Sequence, residues 1–515
     1  MTDTDADAPP TVTVTPPLVA AGPDADAPPE GWRSRWGPLL ITALVGAAVA
    51  LVSAYVIWPH GTVNLDEIVY INQGRALSHG HLTLDARTFT PEFRPYLTGV
   101  ARDRVVFKYQ PLWPAVLALS DLVTGDHRAG LVLAGAAAAL AFGFLGRELT
   151  GRRTLGAVTG VGVALSPVFV VNSGTALAYL PSAALAAAAV AAGMRGVRTG
   201  RWGWYAASGA GFGALFFHRP FDAVVTGAPV AVWLLARAVR RRAWVPVVVA
   251  GAAAVPFVAL WLAYNRLTTG SMTSPAFGIG APEDRFGFGK RASWAPVHPI
   301  FKRTLLDFTP FQSLHTVLHF GAVTPLFTLG GVVVLGLAVY AAWTGRRDPR
   351  VLVLAAIPVL VVGGHFFWWG TLNFMNYGLD HTLGPAYWFG GIGPVAALAT
   401  AGGYDVYQRW PALGEDRRRR LAWGGVALVA LTTVACAGFV VPNVLDARRI
   451  RAHQIDVLSA SPKGSVLVVP NAIDNPFVHS VVPIDLAGAD RLPAVDIPGA
   501  ASAFRLRAAA GDRSV

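Results

Sequence analysis

Residues 37–58 read Gly37-Pro-Leu-Leu-Ile-Thr-Ala-Leu-Val-Gly-Ala-Ala-Val-Ala-Leu-Val-Ser-Ala-Tyr-Val-Ile-Trp58, twenty-two residues without a charge. A run of about 18 or more apolar residues spans a bilayer as a helix, because inside lipid the backbone must satisfy its own polar groups. Arg128–Leu145 and Trp244–Tyr264 repeat the pattern. The whole 515-residue chain is 53% hydrophobic and only 14% charged, against about 25% charged for an ordinary soluble protein. These figures exclude a soluble enzyme. A disulfide-stapled fold is excluded too, because Cys436 is the only cysteine. The chain reads as an all-α polytopic membrane protein.

Eleven spans are expected, near 37–58, 128–147, 155–173, 175–195, 202–218, 222–238, 244–264, 321–343, 351–369, 384–402 and 421–441. The net charge of +12 divides unevenly: residues 1–30 carry −6 and the rest +18. Much of the excess sits in short clusters between apolar runs, at Arg147/Arg152/Arg153, Arg195/Arg198/Arg201, Arg237/Arg240/Arg241/Arg242, Arg346/Arg347/Arg350 and Arg417–Arg420. Basic short loops stay in the cytoplasm. Alternating eleven spans puts every one of these clusters on that side, with the N-terminus cytoplasmic and the C-terminus extracytoplasmic. This parity requires that Pro111–Gly125, fifteen residues opened by a proline, lie on the outer surface without crossing. No basic recognition module accompanies the charge, so no nucleic-acid partner is expected.

Three regions follow: 1–36 as a disordered cytoplasmic tail, 37–441 as the transmembrane domain, and 442–515 as a small outer appendage. Ser465-Val-Leu-Val-Val-Pro470 has the character of a buried strand, which makes the appendage α/β. Two long outer loops, 59–127 and 265–320, hold much of the remaining acidic, histidine and aromatic content. Long loops in a compact architecture tend to be functional.

The first outer loop opens Asn64-Leu-Asp-Glu-Ile-Val-Tyr-Ile-Asn-Gln-Gly-Arg75, an amphipathic helix with Asp66 and Glu67 in its first turn. Asp66 caps that helix on one reading and is a general base at the lipid–water boundary on the other. The loop closes Val106-Phe-Lys-Tyr-Gln-Pro-Leu-Trp-Pro114. An acidic pair just past the first span, then a basic residue, a proline turn and an apolar juxtamembrane helix, resembles the GT-C class of integral-membrane glycosyltransferases. Protein O-mannosyltransferases and the aminoarabinose transferases of lipid A belong to that class. The resemblance extends through Arg147–Arg153, Leu165-Ser166-Pro167 and Tyr264-Asn-Arg-Leu-Thr-Thr-Gly270, and covers roughly 37–400.

The resemblance implies a sugar moved from a polyprenyl-phosphate donor to an extracytoplasmic hydroxyl of a glycan, lipid or protein, in the plasma membrane. Asp66 then matches the acceptor-activating aspartate, Glu67 its supporting or metal-binding neighbour, and Lys108 the basic residue near the donor phosphate. Two positions depart from the family: Gln110 replaces the first proline of a Pro-Pro pair, and Ala386 replaces an arginine in Leu383-Gly-Pro-Ala-Tyr387.

Arg219, in His218-Arg-Pro-Phe-Asp222, has two readings: a second phosphate ligand, or a pair with Asp222 that anchors helix ends. Lys290, Arg291, Lys302 and Arg303 are further interfacial cations. Tyr70, Tyr109, Asn265, Arg266 and His381 are the expected substrate contacts. No HExxH spacing occurs, and the one-turn pair His315/His319 lacks a carboxylate nearby in sequence. No protein metal site is therefore expected, though Glu67 leaves a divalent ion open. The competing class is a multi-span transporter or flippase of lipid-linked or envelope substrates, which would account for the spans but not for the two long outer loops.

Overall fold

The computed structural model describes residues 32–281, 284–292, 305–376, 378–469 and 491–495. Residues 1–31 of the expected tail, with His298, Lys302 and Arg303, lie outside the described residues. Where description begins the chain is already helical: α1 (Trp32–Val52) ends in a π-helical turn, Ser53–Ile57. The first loop follows as α2 (Leu65–Ser78), β1 (Leu84–Asp85), β2 (Thr98–Ala101), β3 (Arg104–Phe107) and α3 (Leu112–Thr124). The two juxtamembrane helices expected from sequence are α2 and α3. Between them the strands form an antiparallel sheet in the order β1-β3-β2, with Val100 opposite Val105. Arg102 and Asp103 turn the hairpin at φ 50° and 59°, the left-handed pair that matches strand twist.

A bundle comes next: α4 (Arg128–Thr150), α5 (Arg153–Ala164), α6 (Pro167–Asn172), α7 (Tyr179–Thr199), α8 (Trp202–His218), α9 (Pro220–Arg241) and α10 (Val245–Thr269). The second long loop contains α11 (Ala276–Gly280) and the antiparallel pair β4 (Gly289–Ala292) and β5 (Leu305–Phe308). The remaining helices are α12 (Pro310–Phe327), α13 (Gly331–Thr344), α14 (Pro349–His365), α15 (Gly370–Asn376), α16 (Leu379–Leu383), α17 (Ile392–Arg409) and α18 (Glu415–Ala460). Strands β6 (Ser465–Val469) and β7 (Arg491–Val495) pair in parallel, so the strand read at 465 exists. The all-α expectation is amended by these three small sheets.

Among the described residues, six helices are long and apolar enough to cross a membrane: Gly37–Ile57, α4, α7, α9, α10 and α18. A seventh is counted if α12 and α13, bent by 108°, form one broken span. The other five expected runs fall on helices that are shorter, divided or less apolar: α5 with α6, α8, α12 with α13, α14 and α17. The run at 155–173 is two helices of 12 and 6 residues, divided at Ser166-Pro167, where proline lacks a donor and disfavours helix before it. The run at 384–402 begins with a 3-10 turn, Ala386–Gly391, before α17. The helix that carries the last expected span, 421–441, extends beyond it: α18 continues to Ala460 through Pro442, because a helix leaving lipid need only exchange apolar for polar side chains.

Exposed apolar side chains coat the bundle, as Val245, Val248, Val255 and Leu260 do on α10. Water would penalise that surface and lipid would not. The chain is a membrane protein. Inside, Phe142, Leu145, Val190, Leu354 and Leu398 belong to one apolar core spanning α4, α7, α14 and α17. Helices α1 and α4 approach through Gly46 and Gly135: a Cβ on Gly46 would stand 2.5 Å from the Cβ of Ala139 and from Gly135 O. Small residues permit such backbone contact in lipid. Gly46→Leu is expected to cost about 1–3 kcal/mol by overpacking, read as a lower unfolding midpoint in detergent. An unchanged midpoint would contradict this packing.

Two of the basic clusters meet on one face, where Arg195 and Arg198 of α7 both bond the buried Glu148 of α4 at 2.8 Å. Arg152 lies 4.7 Å over the Tyr404 ring nearby.

Candidate active site

The site is assembled from several parts of the chain. Asn64, not Asp66, caps α2, its side chain accepting from Asp66 N at 3.0 Å. With the cap supplied by Asn64, the Asp66 carboxyl turns inward and meets the Tyr109 hydroxyl. Tyr109 stacks on Tyr70 at 4.2 Å, with 11° between the ring planes, and Gln73 holds the Tyr109 carbonyl at 2.9 Å.

One residue earlier, at the end of β3, Lys108 pairs with Asp284 at 2.6 Å. Its ammonium also lies 5.0 Å from the Tyr109 ring centre and 4.9 Å from that of Phe277. Gly280 makes this approach possible, since a Cβ there would come within 2.9 Å of the Lys108 Cβ. Trp369 donates to the other Asp284 oxygen at 2.7 Å. From the bundle, Arg219 stands between α8 and α9, paired with Asp222 at 3.0 Å and lying 4.8 Å over the Tyr179 ring. Tyr179 packs edge-on against Tyr387 at 5.4 Å.

Charge joins these parts. Asp66 feels Lys108, Asp284 and Arg219; Tyr70 feels Arg219 and Asp66; Tyr387 feels Asp66 and Asp284. Burial raises the pKa of Asp66 above the ordinary carboxylate value, and the opposing pull of Lys108 and the Tyr109 hydroxyl does not cancel it. Tyr70 and Tyr109 are likewise pushed well up, first by burial. Both hydroxyls are therefore neutral donors at physiological pH. The arrangement gathers a carboxylate, two cations and an aromatic wall in one polar cluster.

Not every expected residue is there. Glu67, next to Asp66, lies about 100° around the helix and faces elsewhere. Its Oε1 accepts from Ala176 N at 2.8 Å and its Oε2 from Thr62 N and Oγ1 at 2.7 and 2.8 Å. Held by these three donors, the buried Glu67 carboxylate braces the first loop against the segment before α7. Glu67→Gln is expected to cost about 1–3 kcal/mol by presenting an NH2 to N–H donors, with turnover per folded molecule kept. Lost turnover at unchanged stability would restore the catalytic reading.

Asn265 is fully buried and bonds Met272 O at 3.2 Å, while the exposed Arg266 bonds Gly270 O. Both make these bonds around the C-terminus of α10. Of the interfacial cations in the second long loop, Lys290 is exposed, whereas Arg291 is buried beside Gly287 O and within reach of the Asp284 charge. His381 lies apart from Asp66, against Asp380 and His319. The expectation of no metal-ligand set rests on the lack of a carboxylate near His315/His319 in sequence; the fold brings Asp380 to His319 across 61 residues.

Asp284, Tyr179 and Tyr387 were missed by sequence reading. Asp284 sits in a loop of mixed charge, and only its pairing with Lys108, 176 residues away, distinguishes it.

Beside the polar cluster is an apolar cleft of about 690 Å³, lined by side chains of α5, α12, α13, α14 and α17, among them Leu155, Val158, Phe327 and Val361. The 3-10 turn Ala386–Gly391 separates the two. Its Tyr387 faces the polar cluster, and its Trp388 lines the apolar cleft.

No protein-family model and no curated protein matches the chain. Solved structures do. Its backbone superposes on ArnT from Cupriavidus metallidurans bound to undecaprenyl phosphate with a TM-score of 0.50, at 13% identity over 88% of this chain and 85% of that one. The apo state of the same protein gives 0.46 at 15% identity, over 81% and 75%. The Archaeoglobus fulgidus oligosaccharyltransferase gives 0.40 at 14% identity, over 82% of this chain and 57% of that longer one. The fold is GT-C-like, that of a class of integral-membrane glycosyltransferases, as the first outer loop implies.

Proposed function

We propose that this protein is a glycosyltransferase that moves a sugar from a polyprenyl-phosphate donor to a hydroxyl on a glycan, lipid or protein outside the cytoplasm. The observation that carries the proposal is the adjacency of a charged cluster and an apolar cleft. One holds Asp66, Lys108 and Arg219; the other is apolar and lies behind Tyr387 and Trp388. A lipid-linked sugar phosphate has the same two-part chemistry. The fold likeness to a structure bound to undecaprenyl phosphate supports that choice of donor.

In this reading Asp66 takes the acceptor's proton as its oxygen attacks the anomeric carbon. The bond from that carbon to the phosphate oxygen breaks, and polyprenyl phosphate leaves with the bonding electrons. Lys108 and Arg219, each already held by a carboxylate, face the charge that develops on the departing phosphate, where preorganised cations stabilise a transition state most. Tyr70 and Tyr109 shape the acceptor side. A plasma-membrane location, eleven crossings, a cytoplasmic N-terminus and an outer C-terminus complete the proposal, which places the cluster on the extracytoplasmic face.

The test is incubation of purified protein with a panel of polyprenyl-phospho-sugars and acceptor extracts. Release of polyprenyl phosphate together with a glycosylated product is expected. Movement of intact lipid-linked sugar across a liposome bilayer, with no release, would replace the transferase by a flippase.

A further inference from the structure

We propose a divalent transition-metal site, of Zn²⁺ type, formed by His319, Asp380 and His381. It lies outside the Asp66 cluster and does not depend on glycosyl transfer. His319 is on α12, and Asp380 and His381 are on α16. The His319 Nε2 stands 2.6 Å from Asp380 Oδ2, and the His381 Nε2 stands 3.7 Å from the same oxygen. The three ligand atoms all lie within 4.8 Å of one another.

Tetrahedral Zn²⁺ with bonds of about 2.0–2.1 Å places its ligand atoms roughly 3.3 Å apart, so the two measured separations straddle the required edge. Asp380 is completely buried, and its other oxygen, Oδ1, has no hydrogen-bond partner among the described residues. A buried carboxylate oxygen left without a donor is costly. An ion, or a water held by one, would satisfy it.

Two imidazoles and a carboxylate suit zinc and its first-row neighbours better than magnesium or calcium, which favour all-oxygen shells. Three protein ligands leave a fourth position for water or for His315, whose ring centre lies 6.5 Å from that of His319. The surroundings favour a fixed ion: Phe439 of α18 packs edge-on against His381 at 5.2 Å and closes one side. Asn172 grips Leu383 O at 2.8 Å and holds the far end of α16. An ion here ties α12 to α16 a few residues before Tyr387, and so fixes the turn that divides the polar cluster from the apolar cleft.

The experiment uses the full chain, free of any histidine tag, in detergent. It is stripped with chelator, then titrated with Zn²⁺ alone and, separately, with Co²⁺. One tight equivalent of Zn²⁺ by calorimetry and elemental analysis is expected, with a higher unfolding midpoint and a visible Co²⁺ spectrum of low-symmetry N/O ligation. His381→Ala, at a half-exposed position that tolerates truncation, is expected to weaken that equivalent at least tenfold and abolish the Zn²⁺-dependent midpoint shift. His319→Gln should do the same, and His315→Ala should keep the equivalent. No stoichiometric uptake by the unsubstituted protein, or uptake unaltered in both His381→Ala and His319→Gln, would overturn the site.

Discussion

Asp66→Asn is expected to lower transfer about 10²–10⁴-fold, the usual contribution of a positioned general base, while leaving donor binding nearly intact. The variant should also be no less stable than the parent. Burial raises the Asp66 pKa above its unfolded value of about 3.9. The folded state therefore holds the proton more tightly, and stability declines as pH rises from about 3.9 through the folded pKa. Above that window the charged carboxylate is a net cost that a neutral amide avoids. Activity runs the other way: it needs the ionised form, so it is lost as pH falls through a pKa above the ordinary carboxylate range. The Asn variant should lack that acidic limb. Rate measurements from acid to neutral pH check both statements, with unfolding midpoints on the same samples. A variant that keeps its rate, or loses rate only in step with lost fold, would remove Asp66 from the chemistry.

Lys108→Met is expected to have the largest structural effect in the cluster. The pair with Asp284 is buried on both sides, at 5% and 7% side-chain exposure. Removing one member of such a pair costs about 3–5 kcal/mol, because the other charge is stranded. The double variant Lys108→Met/Asp284→Asn should recover much of that stability, since no unpaired charge remains. It should not recover donor binding, which needs the ammonium. This split separates a residue that merely braces β3 against the second long loop from one that also holds phosphate. Recovery of both stability and turnover in the double variant would assign Lys108 to bracing alone.

How far the sequence disclosed this arrangement depends on the range of the interaction. Hydropathy is a local property, and the apolar runs of α1, α4, α7, α9, α10 and α18 are found where it places them. Where proline or glycine interrupts a run, as at Pro167 and Gly330, composition still reads as one span although the chain turns. Asp66 and Lys108, which the fold brings within electrostatic reach of each other, both lie in one loop with an ordered pattern. Glu67 faces away from Asp66 because adjacent residues on a helix point about 100° apart, and no composition shows which of two carboxylates looks toward Lys108. Asn64 carried a usable signal that went unread: it is a preferred capping residue directly before the apolar face, and it relieves Asp66 of that duty. Asp284 and Asp380 could not have been found this way. Each acquires its meaning from a partner brought close only by folding, Lys108 for one and His319 for the other.

The central claim is that the polar cluster receives the donor's phosphate and the apolar cleft its lipid chain. A density map of the protein with bound polyprenyl phosphate tests this most directly. The account predicts the phosphate within hydrogen-bond range of Lys108 or Arg219, the Asp66 carboxyl facing the vacated sugar position, and the chain running past Trp388 toward Leu155. A phosphate resting near Glu148, Arg195 and Arg198 on the opposite face, with none at the Asp66 cluster, would contradict it.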